Sequence, residues 1–224
     1  MKKIFIVGGD GFARECLNIL KEVEGYGSEI LFEGFLGHRG YGEQTNYKNF
    51  AQFYVGDVSE HIFADEEYCI IGAGFPELRK KIYKDLKDIG VHFYNLIGRG
   101  CFIPKSVTLG EGNIFIPPFR GSVNINIGNG NVFNCDVIVG HDVEIGNFNF
   151  CGPRSIILGN VKIGSMNIIG SSSILMANCR VGDHNKIAPL SCVYKGCRDG
   201  KYMLGNPAVN VGENDNCYNC SINV

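Results

Sequence analysis

Residues 127–146 read IGNGNVFNCDVIVGHDVEIG, and the spacing of their apolar side chains decides the fold. An aliphatic or aromatic residue returns at every sixth position: Ile127, Phe133, Val139, Ile145. The same step continues through Cys151, Ile157, Ile163, Ile169, Leu175, Val181, Ile187 and Val193, and the following residue is Gly or Ala at eight of these twelve stops. In the other direction it reaches Phe115, Leu109 and Ile103, with one break at Gly121 in PPFRGS. A period of eighteen lies over the six, because aliphatic-Gly-x-x-Asn recurs as LGEGN (109–113), IGNGN (127–131), IGNFN (145–149), IGSMN (163–167) and VGDHN (181–185). Three hexads close one turn of a triangular prism, with the aliphatic positions stacked inward and the small residues near the corners. This predicts a parallel β-helix of the hexapeptide type over 101–208, about five turns long.

Within that register His141-Asp142 is a local departure. His141 falls two residues after the inward Val139, which places it at or beside a corner and turned away from the core. The residues leave two readings open: a solvated polar corner, or a general base held in one tautomer by its carboxylate neighbour. A prism surface has no pocket of its own. A corner base therefore calls for a second prism packed alongside, most simply in a cyclic trimer. Zinc would need three ligands, and the only other histidine in the repeat is His184, so the sequence predicts no metal site.

The first hundred residues carry a different pattern. KKIFIV is a short apolar strand, GGDG a glycine turn, and Ala13, Cys16, Leu17, Leu20 and Val23 repeat at helical spacing. A turn between a strand and a helix N-terminus exposes backbone N–H groups suited to a phosphate. The G-x-G-x-x-G fingerprint is not met, and the second strand, expected over 29–37, ends in Gly37-His38 without the acidic residue of a dinucleotide site. Further strands are expected at 67–74 and 91–97, with a helix between them from Pro76 to Gly90. The alternation predicts a small Rossmann-like parallel sheet over residues 1–100, with ligands at Gly8–Gly11, Gly37-His38 and Gly72–Gly74.

Composition narrows the classes of function. A net charge of −2 with 20% charged residues gives no field for nucleic acid or an acidic membrane. No apolar run approaches the roughly 20 residues of a membrane span, and the N-terminal run is too short for a signal peptide, so a cytoplasmic protein is expected. The ten cysteines are scattered, several inside apolar runs, and are expected as reduced thiols. Cys217 and Cys220 form a CxxC in the polar segment 209–224, expected to be a solvated tail.

Taken together, the glycine-turn βαβ unit, the repeats with VGHDVEIG, LGNVKIG (158–164) and LGNPA (204–208) resemble one family of acyltransferases. Its members are the bacterial N-acetyltransferases of nucleotide-linked 4-amino-4-deoxy sugars in surface-glycan biosynthesis, together with sialic-acid O-acetyltransferases. The resemblance implies a left-handed coil, a homotrimer with sites between subunits, and acetyl-CoA as co-substrate. By the same likeness His141 is the general base, Asp142 orients it, and Asn134 lies near the sugar. Gly159 offers its backbone N–H to the thioester oxygen, with Ser171 and Ala188 lining the CoA cleft. Gly8, Gly9, Asp10, Gly11, Phe12, Gly37, His38, Gly72 and Ala73 hold the nucleotide sugar. The chain departs from the family at Gly37-His38, where two aspartates often stand, and at Phe12 and Phe150, where some members carry histidine. O-acetylation of a sialic-acid-like sugar and a non-catalytic sugar-binding solenoid are the alternatives.

Overall fold

A computed structural model of the chain describes residues 1–39, 41 and 50–214. The N-terminal part is a five-stranded parallel sheet of β1 (Lys2–Val7), β2 (Ile30–Gly37), β3 (Tyr54–Asp57), β4 (Glu67–Ile71) and β5 (His92–Phe93), in the order β3-β2-β1-β4-β5. Helix α1 (Gly11–Lys21) is capped by Asp10 and buries Ala13, Cys16, Leu17 and Leu20. Helix α2 (Pro76–Lys87) begins with proline at its first turn, where the missing N–H costs nothing.

From Leu96 onward the chain winds as a parallel β-solenoid with three faces. The first face holds Leu96–Ile97, Ile114–Phe115, Val132–Phe133, Phe150–Cys151, Ile168–Ile169 and Lys186–Ile187, then Lys201–Gly205 and Ala208–Glu213. The second holds Phe119–Gly121, Val137–Val139, Ile156–Ile157, Ile174–Leu175 and Cys192–Val193. The third runs from Thr108–Leu109 through Asn126–Ile127, Glu144–Ile145, Lys162–Ile163 and Arg180–Val181 to Gly196–Cys197. All the six-step stops from Ile127 to Val193 lie in its buried core. At Gly121, where the series breaks, the space is taken by Phe119, whose ring lies 4.8 Å from Phe115 and 5.3 Å from Phe133.

The asparagines of the eighteen-residue repeat are not at the surface. Asn113, Asn131, Asn149, Asn167 and Asn185 are fully buried and form a ladder. Each amide from Asn131 to Asn185 donates to the carbonyl oxygen of the preceding rung at 3.0–3.1 Å. Inside a low-dielectric interior such a chain has to be satisfied throughout, and it fixes the register of successive coils. Asn95 starts it, accepting from the Asn113 backbone N–H at 2.8 Å. That rung divides the strand expected over 91–97: His92–Phe93 stays in the first sheet, and Leu96–Ile97 already belongs to the solenoid. At the corners a residue with positive φ turns the chain, as at Asn124, Asp142, Asn160 and Asn178 (55 to 66°), and Asn and Asp tolerate that conformation best.

Two contacts lock the first domain to the solenoid. Helix α1 packs against the first face through the cluster of Leu17, Leu20, Ile114 and Val132. Arg79 of α2, fully buried, donates to the carbonyls of Ile71, Ala73, Gly112 and Gly130 at 2.6, 2.8, 3.0 and 2.9 Å. Burial lowers its pKa to about 10. Nearby, Tyr83 and Lys87 both donate to Glu111, at 2.6 and 2.5 Å.

Every described cysteine is a free thiol, and burial pushes Cys151 up to about 12 and Cys197 up to about 11. Residues 208–213 pair antiparallel with 201–205, so the segment past 208 starts as a strand. Cys217 and Cys220 lie outside the described residues. Among the described residues no helix is long and apolar enough to cross a membrane, and no three His, Cys, Asp or Glu side chains group as metal ligands.

Candidate active site

The corner between the second and third faces carries His141 and Asp142. The imidazole Nδ1 is 2.8 Å from Asp142 Oδ2, and the histidine side chain is 56% exposed. Asn124, one coil earlier, donates to Asp142 Oδ1 at 3.1 Å. The hydrogen bond with His141, and then that from Asn124, hold the Asp142 carboxyl below its ordinary range. With Nδ1 engaged by a carboxylate, Nε2 is left as the free nitrogen.

That nitrogen lies over the next coil. A Cβ built on Gly159 would come 2.6 Å from His141 Nε2, so the imidazole rests on a position that only glycine leaves open. The coils are tightly joined here: Asn160 N–H donates to the His141 carbonyl and Asn178 N–H to that of Gly159, at 2.9 and 3.0 Å. The Gly159 N–H itself makes no hydrogen bond among the described residues. A free imidazole nitrogen and an unengaged backbone N–H on adjacent coils are the two groups an acyl transfer needs.

Asn134, Ser171 and Ala188 are elsewhere. They belong to the corner between the first and second faces, at the opposite edge of the second face from His141. Asn134 is half-buried and its Oδ1 accepts from its neighbour Cys135 N–H at 2.7 Å. Ser171 is exposed, while Ala188 is buried with its N–H bound to the Met203 carbonyl at 2.8 Å. One chain thus unites His141, Asp142 and Gly159 and separates them from the other three.

The glycine turn of the first domain is occupied by its own side chains. Asp10 Oδ1 accepts from Phe12 N–H at 2.9 Å and Ala13 N–H at 3.3 Å. Gly8 has φ 126° and packs under the Tyr41 ring, whose hydroxyl donates to Asp10 Oδ2 at 2.9 Å. Gly72 is needed for close packing, since a Cβ there would meet that of Ala13 at 2.7 Å, and Ala73 is fully buried. Gly9 and Gly37 are buried, and Gly11 is exposed at the start of α1. His38 is only 2% exposed, and its Nε2 lies 3.1 Å from Asp85 Oδ2 of α2.

No protein-family model matches the sequence, and no curated protein matches it. Solved structures do. The acetyltransferase domain of PglB from Neisseria gonorrhoeae, in complex with acetyl coenzyme A, superposes with a TM-score of 0.78 at 19% identity, over 94% of this chain and 99% of that one. PerB from Caulobacter crescentus, in complex with CoA and GDP-perosamine, gives 0.78 at 21% identity over 95% and 98%. WeeI from Acinetobacter baumannii gives 0.78 at 22% over 94% and 100%. The fold is that of solved acetyltransferases. A small α/β domain followed by a left-handed β-helix is therefore the architecture of this chain from end to end of the match.

Two side chains around the predicted sites escaped the sequence reading. Asn124 stands eighteen residues before Asp142, so the repeat itself could have pointed to it. Tyr41, at the glycine turn, had no such signal, because its partners Asp10 and Gly72 each lie 31 residues away.

Proposed function

We propose that the protein is an acetyl-CoA-dependent N-acetyltransferase of a nucleotide-linked 4-amino-4-deoxy sugar. The observation that carries this reading is His141 Nε2 poised over Gly159, with Nδ1 held by Asp142. Nε2 takes the proton of the sugar amine as the nitrogen attacks the thioester carbonyl. The Gly159 N–H meets the oxygen that becomes negative in the tetrahedral intermediate. Collapse of that intermediate breaks the carbon–sulfur bond, and the proton on His141 passes to the departing thiolate of CoA.

The working unit is a homotrimer. The first domain docks on the first face, whereas His141 lies at the corner opposite that face. A substrate held by the first domain of one chain therefore meets the base of another. Along the second face the outward column runs Phe102, Arg120, Ile138, Ile156 and Ile174, with Phe102 and Ile138 well exposed. Apart from Arg120 this column is apolar, which suits a second copy. Packed there, one subunit's Asn134, Ser171 and Ala188 corner comes beside its neighbour's His141 corner, completing a cleft for CoA.

The test is release of free thiol from acetyl-CoA with a panel of UDP-, GDP- and dTDP-linked amino sugars. His141→Ala is expected to lose about two to four orders of magnitude in turnover, the usual contribution of a general base. Wild-type turnover in that variant would remove His141 from the mechanism. Turnover with a sugar hydroxyl and none with any amine would replace N- by O-acetylation.

A further inference from the structure

In an open parallel sheet the natural ligand seat is the crevice where the strand order reverses, outside the carboxyl ends of the strands. Here that point lies between β1 and β4, at Gly8 and Gly72. It is filled by the protein. The Tyr41 ring lies 3.0 Å from where a Gly8 Cβ would be, and its hydroxyl reaches Asp10 Oδ2 and the Gly72 carbonyl at 2.9 and 3.4 Å. The N–H groups of Phe12 and Ala13, which a phosphate would use, already serve the Asp10 carboxylate. A diphosphate at this helix N-terminus would meet a fixed negative charge and an aromatic ring.

Beside the blocked crevice is a cleft of about 290 Å³ between the glycine turn, the start of α2 and the first face of the solenoid. Its walls are Phe12, Phe75, Phe150 and Ile168, and among the described residues Asp10 is the one charged group on its rim. We propose that this cleft seats the planar base of the nucleotide, with Asp10 Oδ2 accepting from the N–H edge of the base and the diphosphate lying off the α1 N-terminus. The proposal rests on the nucleotide-sugar reading above and says which part of that ligand the first domain holds. A sugar ring fits the cleft poorly, because its hydroxyls each need a partner and one carboxylate cannot serve them. A base has two π-faces for phenyl rings and concentrates its polar groups on its edge. A carboxylate only accepts, so the edge it suits best has adjacent donors, as the N1–H and N2–H of guanine. Adenine and the uracil-type bases set acceptors next to their donors.

The test is calorimetric titration of the full chain without acetyl-CoA, using guanosine, inosine and inorganic pyrophosphate. Inosine lacks the second donor. The expected result is binding of guanosine, roughly ten-fold weaker binding of inosine, and none of pyrophosphate. Phe75 is 59% exposed, so Phe75→Ala leaves the core intact and is expected to weaken guanosine about ten-fold by loss of stacking. Asp10→Ser keeps a helix cap and is expected to close the gap between guanosine and inosine while admitting pyrophosphate. Pyrophosphate binding to wild type as tightly as guanosine, or guanosine affinity unchanged by Phe75→Ala, would overturn the proposal. Because no acetyl donor is present, the outcome is independent of the thiol-release assay: a protein that binds guanosine in this way but acetylates no amino sugar keeps the cleft and loses the catalytic reading.

Discussion

The imidazole of His141 lies across the Cα of Gly159, and a single methyl group at position 159 would come within 2.6 Å of its Nε2. Gly159 does not have a positive φ, so alanine is free to take the same backbone conformation. Gly159→Ala should therefore leave the coil intact and push the ring off the neighbouring N–H. We expect turnover to fall by about two orders of magnitude or more, with a melting temperature close to that of the wild type. A variant with full activity would mean that the ring position over Gly159 is incidental to the reaction.

Asp142 separates orientation from stability. Its carboxyl is held below the ordinary 3.8 by hydrogen bonds with His141 and then Asn124. A carboxylate depressed in the folded state stabilises fully above its unfolded pKa, and this contribution disappears as pH falls through the lower folded value. Asp142→Asn keeps a residue suited to the positive φ of 57° but cannot hold the imidazole as an anion does. Its turnover at neutral pH should drop about ten-fold or more. In urea titrations the stability difference between wild type and variant should stay constant above about pH 5 and shrink toward pH 3. A difference that grows on acidification would contradict the assigned hydrogen bonds.

The interior asparagines make the solenoid sensitive to the loss of one amide. Asn149 Nδ2 donates to Asn131 Oδ1 and the Gly164 carbonyl, and its Oδ1 accepts from the N–H and the amide of Asn167, all at 2.9–3.0 Å. Asn149→Ala should cost about 2 kcal/mol in chemical denaturation, because partners on both sides are left buried and unpaired. Asn149→Asp should cost more, since it buries a charge and removes both donors. An alanine variant as stable as the wild type would show that the ladder is a bystander.

The repeat made the prism legible because each inward residue meets its equivalents one coil away, a local rule written at fixed spacing. His141 could be placed at a corner by counting from Val139, and Gly159 came from a family likeness that shares the same register column. The Asn113–Asn185 column was visible as a motif, but a recurring asparagine does not by itself say that its side chain is buried; burial is viable only when all the rungs are present together. His38 was grouped with the ligand-binding turns because it follows β2, and nothing at that position announced its contact with Asp85, from a helix 47 residues away. Asn134, Ser171 and Ala188 form no site within one chain, and no feature of a single sequence reveals which surfaces of two copies meet.

Arg79 shows the same limit from the side of stability. A charged residue on a polar helix gives no sign that it is fully buried, and its acceptors are backbone carbonyls from β4, its following turn and two solenoid corners. Arg79→Met matches the volume but leaves four carbonyls without a donor. The expected cost is about 3 kcal/mol in urea unfolding, and Arg79→Lys should not restore it, because one ammonium cannot reproduce the planar fork. Recovery of full stability by lysine would mean that the charge matters and the geometry does not.

The apolar column of the second face separates a requirement for assembly from a requirement for chemistry. Ile138 is 43% exposed on a strand flanked by the His141 corner on one side and the Asn134 corner on the other. Ile138→Glu with Ile156→Glu places two charges, one coil apart, on the surface proposed to meet a second copy. An unpaired carboxylate buried in such an interface costs several kcal/mol. By sedimentation the double variant is expected to run as a monomer, with a solenoid circular-dichroism spectrum and no acetyl transfer, although His141, Asp142 and Gly159 are all present. Mixing it with a His141→Ala chain should not restore activity. An active monomer would refute both the trimer and the division of the site between subunits.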